Sequence, residues 1–199
     1  PFGVQAVLTR FDPSAWGDFP AGSINASVRA NGVIREPAAR IEFALLDDSR
    51  WLGAPLAGKG VVGGTPQRVG EADVQLAFGP NRLAAKGAFG GKGDSLALSF
   101  DAPQLDLIDK RLRGRVRGTA TMAGTFQMPS IQLDASAANL SFAGHGSIAA
   151  LEVRGRAGLE GDAPISLRAT LGGVKTPRVS LRSARMQIDG RRSRHEASL

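Results

Sequence analysis

The sequence predicts an all-β protein made of short strands joined by hairpin turns. Apolar and polar residues alternate in Val74–Phe78 and again in Leu96–Phe100, which is the period of a strand with one buried face. The turn residues of 79–81 and 90–94 separate these segments. The 26 glycines and 11 prolines leave few windows that could hold three helical turns.

The alternation continues to the end of the chain, in segments 131–133, 140–142, 151–153, 165–167 and 179–181. Two segments depart from it, Phe11–Trp16 and Leu105–Leu112, and we interpret them as single helical turns or bent loops. Asp12 followed by Pro13 is typical of a helix N-cap with proline at the first helical position.

Each of these two segments is followed by one copy of an internal repeat. The motif G-x9-G-x4-P occurs twice, 92 positions apart, as Gly22, Gly32, Pro37 and as Gly114, Gly124, Pro129. An apolar stretch follows each copy, at 41–45 and at 131–135. We therefore expect residues 1–199 to form a single segment of a larger stacked β array, with repeats of roughly 8–100 and 101–199.

Alternation alone leaves two architectures open. Two apolar faces can pack together in a sandwich, or one curved, unclosed sheet can form a trough lined by its apolar face. The many glycines favour strong curvature, because glycines and bulges let a sheet bend.

Composition excludes several classes of protein. The absence of cysteine excludes disulfides, thiolate nucleophiles and Cys-based zinc sites. A formal net charge of +7 permits attraction to phosphates, but 6% aromatic residues with no tyrosine argue against a nucleic-acid partner. No apolar run approaches the roughly 20 residues needed to span a bilayer, and no signal peptide precedes Pro1, so we interpret the chain as a soluble or peripheral fragment.

No motif predicts a cofactor, a metal or catalysis. Gly58–Gly63 matches G-x-G-x-x-G, but Gly64, Thr65 and Pro66 follow where a helix is required, so we interpret it as a glycine-rich turn. Gly87–Asp94 lacks the spacing of a phosphate loop and is expected to be a hairpin loop. The histidines, His145 and His195, have no partner at metal-ligand spacing.

The charged residues also have mainly structural interpretations. The pairs Asp47/Asp48 and Glu160/Asp162 lie in turn-like segments, where aspartate serves turn formation. Four arginines at alternate positions from Arg111 to Arg117 are expected to share one strand face. That face could meet phosphate headgroups or simply be solvated, and the sequence leaves both open.

Segment Leu112–Ala135, followed by Asn139, Leu140 and Ile148–Gly155, resembles the TamB family of AsmA-like translocation and assembly module proteins, in particular its C-terminal-type β domain. The family's repeating phrase is roughly L-x-G-x-L-x3-G-x4-P-x-L-x6-L. The closing segment 181–199 resembles another phrase of the family, in which a strand and a glycine precede a histidine.

The resemblance implies a curved β-trough, or β-taco, with an apolar interior. It implies a periplasmic protein anchored in the inner membrane of a Gram-negative bacterium and acting in outer-membrane biogenesis by moving phospholipid between the two membranes. One alternative is a chaperone for unfolded outer-membrane β-barrel or autotransporter segments, working in protein secretion with a TamA-type outer-membrane barrel. Another is a structural β-solenoid with a self-filled core. The family carries no catalytic residues, so no enzyme is expected.

In the trough interpretation, the large apolar residues of the alternating segments would form a groove that contacts acyl chains. These are Val74, Leu76, Phe78, Leu96, Leu98, Phe100, Met122, Phe126, Met128, Ile131, Leu133, Leu140, Phe142, Leu151, Val153, Ile165 and Leu167.

Overall fold

The fold was taken from a computed structural model, which describes residues 1–33, 37–191 and 194–198. These residues contain fourteen strands and two short 3₁₀ turns, Pro13–Trp16 and Leu105–Leu107. The strands are β1 Phe2–Phe11, β2 Gly22–Val33, β3 Ala38–Leu45, β4 Arg50–Trp51, β5 Ala54–Thr65, β6 Arg68–Phe78, β7 Asn81–Phe89, β8 Ser95–Ala102, β9 Leu112–Gly124, β10 Pro129–Phe142, β11 Gly146–Gly158, β12 Pro164–Lys175, β13 Ser180–Arg191 and β14 Arg194–Ser198. The prediction of an all-β protein is confirmed.

The strands form one antiparallel sheet in chain order, with β1 and β14 as its edge strands. Strand β4 lies off this path and pairs with β2 and β5. Connections therefore alternate between two ends of the sheet. We call the end that carries the β1–β2, β8–β9 and β10–β11 connections the upper rim, and the opposite end the lower rim. A single open sheet of this kind is an elongated trough and not a two-sheet sandwich.

The sheet has one apolar and one polar face, because its strands are in a register that aligns apolar residues with apolar residues. One cross-strand row runs from β1 to β13 without a polar residue: Ala6, Val28, Phe43, Gly60, Val74, Ala85, Leu98, Ala120, Leu133, Gly155, Leu167 and Ile188. The adjacent row, on the other face, begins with Gln5, Arg29 and Glu42 and ends with Ser166 and Asp189. Strict alternation along each strand produces this separation.

Small residues on the apolar face allow the backbones of neighbouring strands to approach each other closely on that face. Gly118 of β9 lies opposite Ala135 of β10, and a Cβ added to Gly118 would lie 2.8 Å from the Ala135 Cβ. Cβ atoms of facing strand residues are ordinarily about 4.5–5.5 Å apart. The close approach is possible only because Gly118 lacks a side chain.

The accessible surface is large for the chain's size. It measures 13330 Å², whereas a compact globular monomer of 20.7 kDa would expose about 8,900 Å². The difference is expected of a single sheet whose faces are not covered by a second layer.

The two segments predicted as helical turns are the two 3₁₀ turns, and both lie at the upper rim. The Asp12 side chain caps the first, accepting a hydrogen bond from the Ser14 backbone N–H at 3.1 Å, and Pro13 occupies the first position. The N–H of Gly22, which opens β2, donates to the same carboxylate at 3.1 Å. The predicted cap is confirmed, and it also fixes the start of the next strand.

Turn positions are confirmed for Asp47/Asp48, Glu160/Asp162 and residues 90–94, and for 79 and 80 of the predicted turn at 79–81, since Asn81 begins β7. The hairpin loop expected over Gly87–Asp94 is shorter than predicted, because Gly87–Phe89 belong to β7. His145 lies in the turn between β10 and β11. The side chain of His195 lies outside the described part of the chain. The interpretation of Gly58–Gly63 as a glycine-rich turn is wrong, because this segment lies inside β5. Two of its glycines, Gly58 and Gly60, serve close packing between strands: a Cβ on Gly58 would lie 2.6 Å from both the Gln75 carbonyl oxygen and Leu76 Cδ2.

The internal repeat stays a prediction. The two glycine–proline motifs do occupy similar places, since Gly22 opens β2 after the first 3₁₀ turn and Gly114 lies near the start of β9 after the second.

Replacing Gly58 with alanine should destabilise the fold by about 1–3 kcal/mol, because the methyl group would overlap backbone and side-chain atoms of β6. Gly63 on the same strand is the matched control, since an added Cβ there meets nothing closer than 3.7 Å. Gly63→Ala should be neutral or slightly stabilising. Urea unfolding of both variants tests this, and equal effects would contradict the role of Gly58 in strand packing.

The turn between β7 and β8 should make stability depend on pH. The Arg68 guanidinium donates two hydrogen bonds to Asp94, both 2.8 Å, and the Gly91 N–H donates a third at 2.7 Å. The hydrogen bond from Arg68 is the main cause of a lowered pKa of Asp94. Because the folded-state pKa lies below the unfolded value of about 3.9, this stabilisation is complete above about pH 5 and is lost as the pH falls through the lowered pKa.

The Asp94→Asn variant should therefore be less stable at pH 7 and lose less additional stability on acidification to about pH 2 than the wild type. Urea midpoints at both pH values measure this. The control is Asp47→Asn in an exposed turn, which should behave as wild type. An unchanged acid response in Asp94→Asn would show that other carboxylates control acid unfolding.

Candidate functional site: an apolar groove

Most of the predicted groove residues lie on the apolar face in four adjacent cross-strand rows. The first row holds Val74, Leu98, Leu133 and Leu167; the next, towards the lower rim, holds Leu96, Met122, Ile131 and Ile165. Towards the upper rim follow Leu76, Phe100 and Val153, then Phe78 and Leu151. The register thus places in one row side chains that are up to 93 positions apart in sequence, namely Val74 and Leu167.

Four of the predicted residues lie at the rims. Phe126 and Met128 belong to the β9–β10 turn at the lower rim, where they are 47% and 72% exposed. The Phe126 ring contacts Phe89 edge-on, with ring centroids 5.0 Å apart. Leu140 and Phe142 lie near the upper end of β10. All four border the apolar face and do not line its centre.

The apolar face is not filled by the protein's own side chains. No large side chain in the described residues is fully buried, and the fully covered apolar positions are mainly alanines. Ile41 and Leu83 on this face each remain 43% exposed. A closed core would bury such residues completely, so the face can accept an external apolar group.

Sequence reasoning missed the groove residues of the first strands. Val28, Phe43 and Val62 belong to the same rows as the predicted set. The alternation in 41–45 was a usable signal for Phe43. No signal marked Gly60 and Gly155, which belong to the central row although they have no apolar side chain.

The polar face carries exposed cross-strand ion pairs. Lys86 lies 3.4 Å from Asp73, and the Arg154 guanidinium lies 2.9 Å from the Asp134 carboxylate. A depression of about 570 Å³ on this face is lined by Arg29, among other charged and polar residues. Such a surface suits water and polar partners, not acyl chains.

Of the four arginines predicted to share a strand face, Arg111 differs from the other three because it binds a neighbouring carboxylate. Arg113, Arg115 and Arg117 alternate along β9 and are exposed. Arg111 precedes the strand, binds Asp109 through its guanidinium at 2.7 Å and lies over the Phe142 ring at 5.2 Å. Hydrogen bonds from the Arg111 side chain are the main cause that lowers the pKa of Asp109 to about 2.

The described residues contain no group of three or more histidines or carboxylates placed to hold a metal ion. Across the same residues, no helix has the length and apolar character required to cross a bilayer.

Comparison with known proteins identifies the family. The family model of the TamB N-terminal domain matches residues 7–199, where the sequence had suggested the C-terminal-type domain. A stretch of 72 residues is 35% identical to the translocation and assembly module subunit TamB of Haemophilus influenzae, covering 36% of this chain and 6% of that protein. No solved structure matches the chain. Because the family model covers nearly the whole chain, the resemblance is confirmed, and the chain belongs to the TamB family.

Proposed function

We propose that this chain is a periplasmic segment of an inner-membrane-anchored envelope protein and that its apolar face carries phospholipid acyl chains between the inner and outer membranes. The observation that carries the proposal is the apolar row from Ala6 to Ile188, which crosses the sheet without a polar interruption. Membership of the TamB family supports a place in a translocation and assembly module, with a TamA-type outer-membrane barrel as partner.

The energetics of such a groove suit transport more than storage. Covering each CH₂ group of an acyl chain gains about 0.8 kcal/mol. The rows of the groove repeat similar apolar side chains from strand to strand, so this gain changes little as a chain moves along. A lipid is therefore held out of water without a deep trap.

The open groove also argues against a self-filled β-solenoid. That architecture requires a dry interior packed by large side chains, whereas the large apolar residues of this sheet stay partly exposed. No chemistry is needed for carriage, which agrees with a protein that is not an enzyme.

A strand-addition chaperone is a second candidate, favoured by the edge strand β1. Within the described residues β1 pairs only with β2, and its Val4 and Val7 are 56% and 63% exposed. An unfolded outer-membrane protein segment could pair with such an edge strand through its backbone.

Placing a charge in the groove should abolish lipid binding. In Leu98→Asp the carboxylate would lie in the central apolar row, whereas in the matched control Ser99→Asp it would lie on the exposed polar face of the same strand. We expect phospholipid to co-purify with the wild type and with Ser99→Asp and to be absent from Leu98→Asp. Native mass spectrometry with lipid extraction measures this, and circular dichroism checks the fold. A wild-type protein free of lipid and unable to bind an apolar dye would refute the groove.

Photo-crosslinking separates the two candidates. We expect a photoreactive residue at position 98 to capture acyl chains and one at Gln5, on the edge strand, to capture no polypeptide. The same label at position 99 is the control for unspecific capture of lipid. Outer-membrane protein segments captured at position 5, without lipid at position 98, would favour the chaperone.

A further inference from the structure

Close to the upper rim, strands β9, β10 and β12 each contain a residue with a left-handed backbone conformation. We call this level of the sheet the bend. Gly114, Asn139 and Gly173 have φ angles of 110°, 53° and 60°, which lie in the left-handed region. The pairing of β9 with β10 shifts at the same level, between Ala138 and Ser141. Asn139 adopts this conformation although it carries a side chain, and such exceptions cluster at functional positions.

Above the bend, one cross-strand row has the composition of an anion site. Its members on five consecutive strands are Arg113, Ser141, Ser147, Lys175 and Ser180. Directly paired residues project to the same side of a sheet. In the described part of the chain, none of these five side chains forms a hydrogen bond or an ion pair. Two cations and three hydroxyls therefore remain available to a ligand.

The strand segments that carry this row contain no acidic residue. Segments 110–118, 139–149 and 173–183, which we call the cationic lip, lack aspartate and glutamate altogether. They contain the cations Lys110, Arg111, Arg113, Arg115, Arg117, Lys175, Arg178 and Arg182. Of the carboxylates next to the lip, Asp109 is bound by Arg111, and Asp101 is the cross-strand partner of Arg117. Within the described residues, the cations of the row itself form no ion pair, whereas Lys86 and Arg154 each face a carboxylate.

The spacing of the row fits a phosphate group. Neighbouring strands lie about 4.8 Å apart, so Arg113 and Lys175 are about 14 Å apart with Ser141 and Ser147 between them. A phosphate over the two serines would accept hydrogen bonds from their hydroxyls and lie within reach of both cationic side chains. Charge-assisted hydrogen bonds of this kind are the stronger ones in proteins.

The position of the row fits an amphiphile. The residues next to it along the strands, Leu140, Ile148 and Val174, form an apolar row on the other side of the sheet. Both rows lie within a few residues of the β10–β11 and β12–β13 turns, where the sheet ends. A lipid at this rim could thus place its headgroup on the cationic row and its acyl chains against the apolar residues beside it.

We propose that the cationic lip binds the phosphate diester of a glycerophospholipid whose acyl chains lie in the apolar groove. The proposal rests on the proposed lipid function and adds a headgroup site to it.

The test uses the full-length protein and isothermal titration with three probes: glycerophosphoglycerol, short-chain dihexanoyl phosphatidylglycerol below its micelle concentration, and inorganic phosphate. Arg113→Gln/Lys175→Gln should weaken binding of the first two probes by about tenfold. The matched control, Lys59→Gln/Lys92→Gln, removes two exposed and unpaired cations elsewhere and should leave both affinities unchanged.

Equal weakening in the two double variants, or no weakening in either, would overturn the lip as a site. Inorganic phosphate binding as tightly as the short-chain lipid would overturn its assignment to a lipid. Leu98→Asp should lower the affinity for the short-chain lipid and leave glycerophosphoglycerol binding intact. If Leu98→Asp changes neither affinity while the lip variant weakens both, the groove fails and the headgroup site stands.

Discussion

The backbone hydrogen bonds between successive antiparallel strands hold this structure together, because within the described residues no second layer covers either face of the sheet. Each such bond contributes only about 1 kcal/mol net, so the sheet depends on their number and continuity. Where the ladder is interrupted, polar side chains replace it. Ser49 accepts from the Asn25 N–H and donates to its carbonyl beside the break between β3 and β4, and Asn81 bonds both backbone groups of Gln104 at the β8–β9 connection.

Side-chain size on the apolar face sets the shape that the ladder takes. Glycine and alanine lie between larger residues along the rows, as Gly155 lies between Leu133 and Leu167. Small residues allow close approach of strands, and large ones supply the apolar surface. The same row of side chains therefore provides both the close approach of strands and the apolar surface.

The period of two was enough to predict the strands of the later part of the chain and most large residues of the apolar face, since register follows from alternation once the strands pair in order. The cap at Asp12 was equally readable, because its chemistry is local. Gly58–Gly63 was misread since glycine marks a turn in most sequences, and only the facing residues of β6 reveal its packing role. The alternating arginines from Arg111 to Arg117 were visible as a face that could meet phosphate headgroups, but Ser141, Ser147 and Lys175 were missed, because strand pairing brings them together and they share no motif.

Within the described residues, each strand on the main path pairs with its neighbours along that path, and the one further pairing partner is the short strand β4, which lies between β3 and β5 in the chain and pairs with β2 and β5. Contacts of this kind are short in sequence, so no distant segment has to be found before the sheet can grow. Folding can then proceed in one direction, hairpin by hairpin, as in other arrays whose units touch only their neighbours. Whole hairpins can be added to such a sheet without changing the pairing of the strands already present. The length of the sheet, measured across its strands, is therefore set by their number.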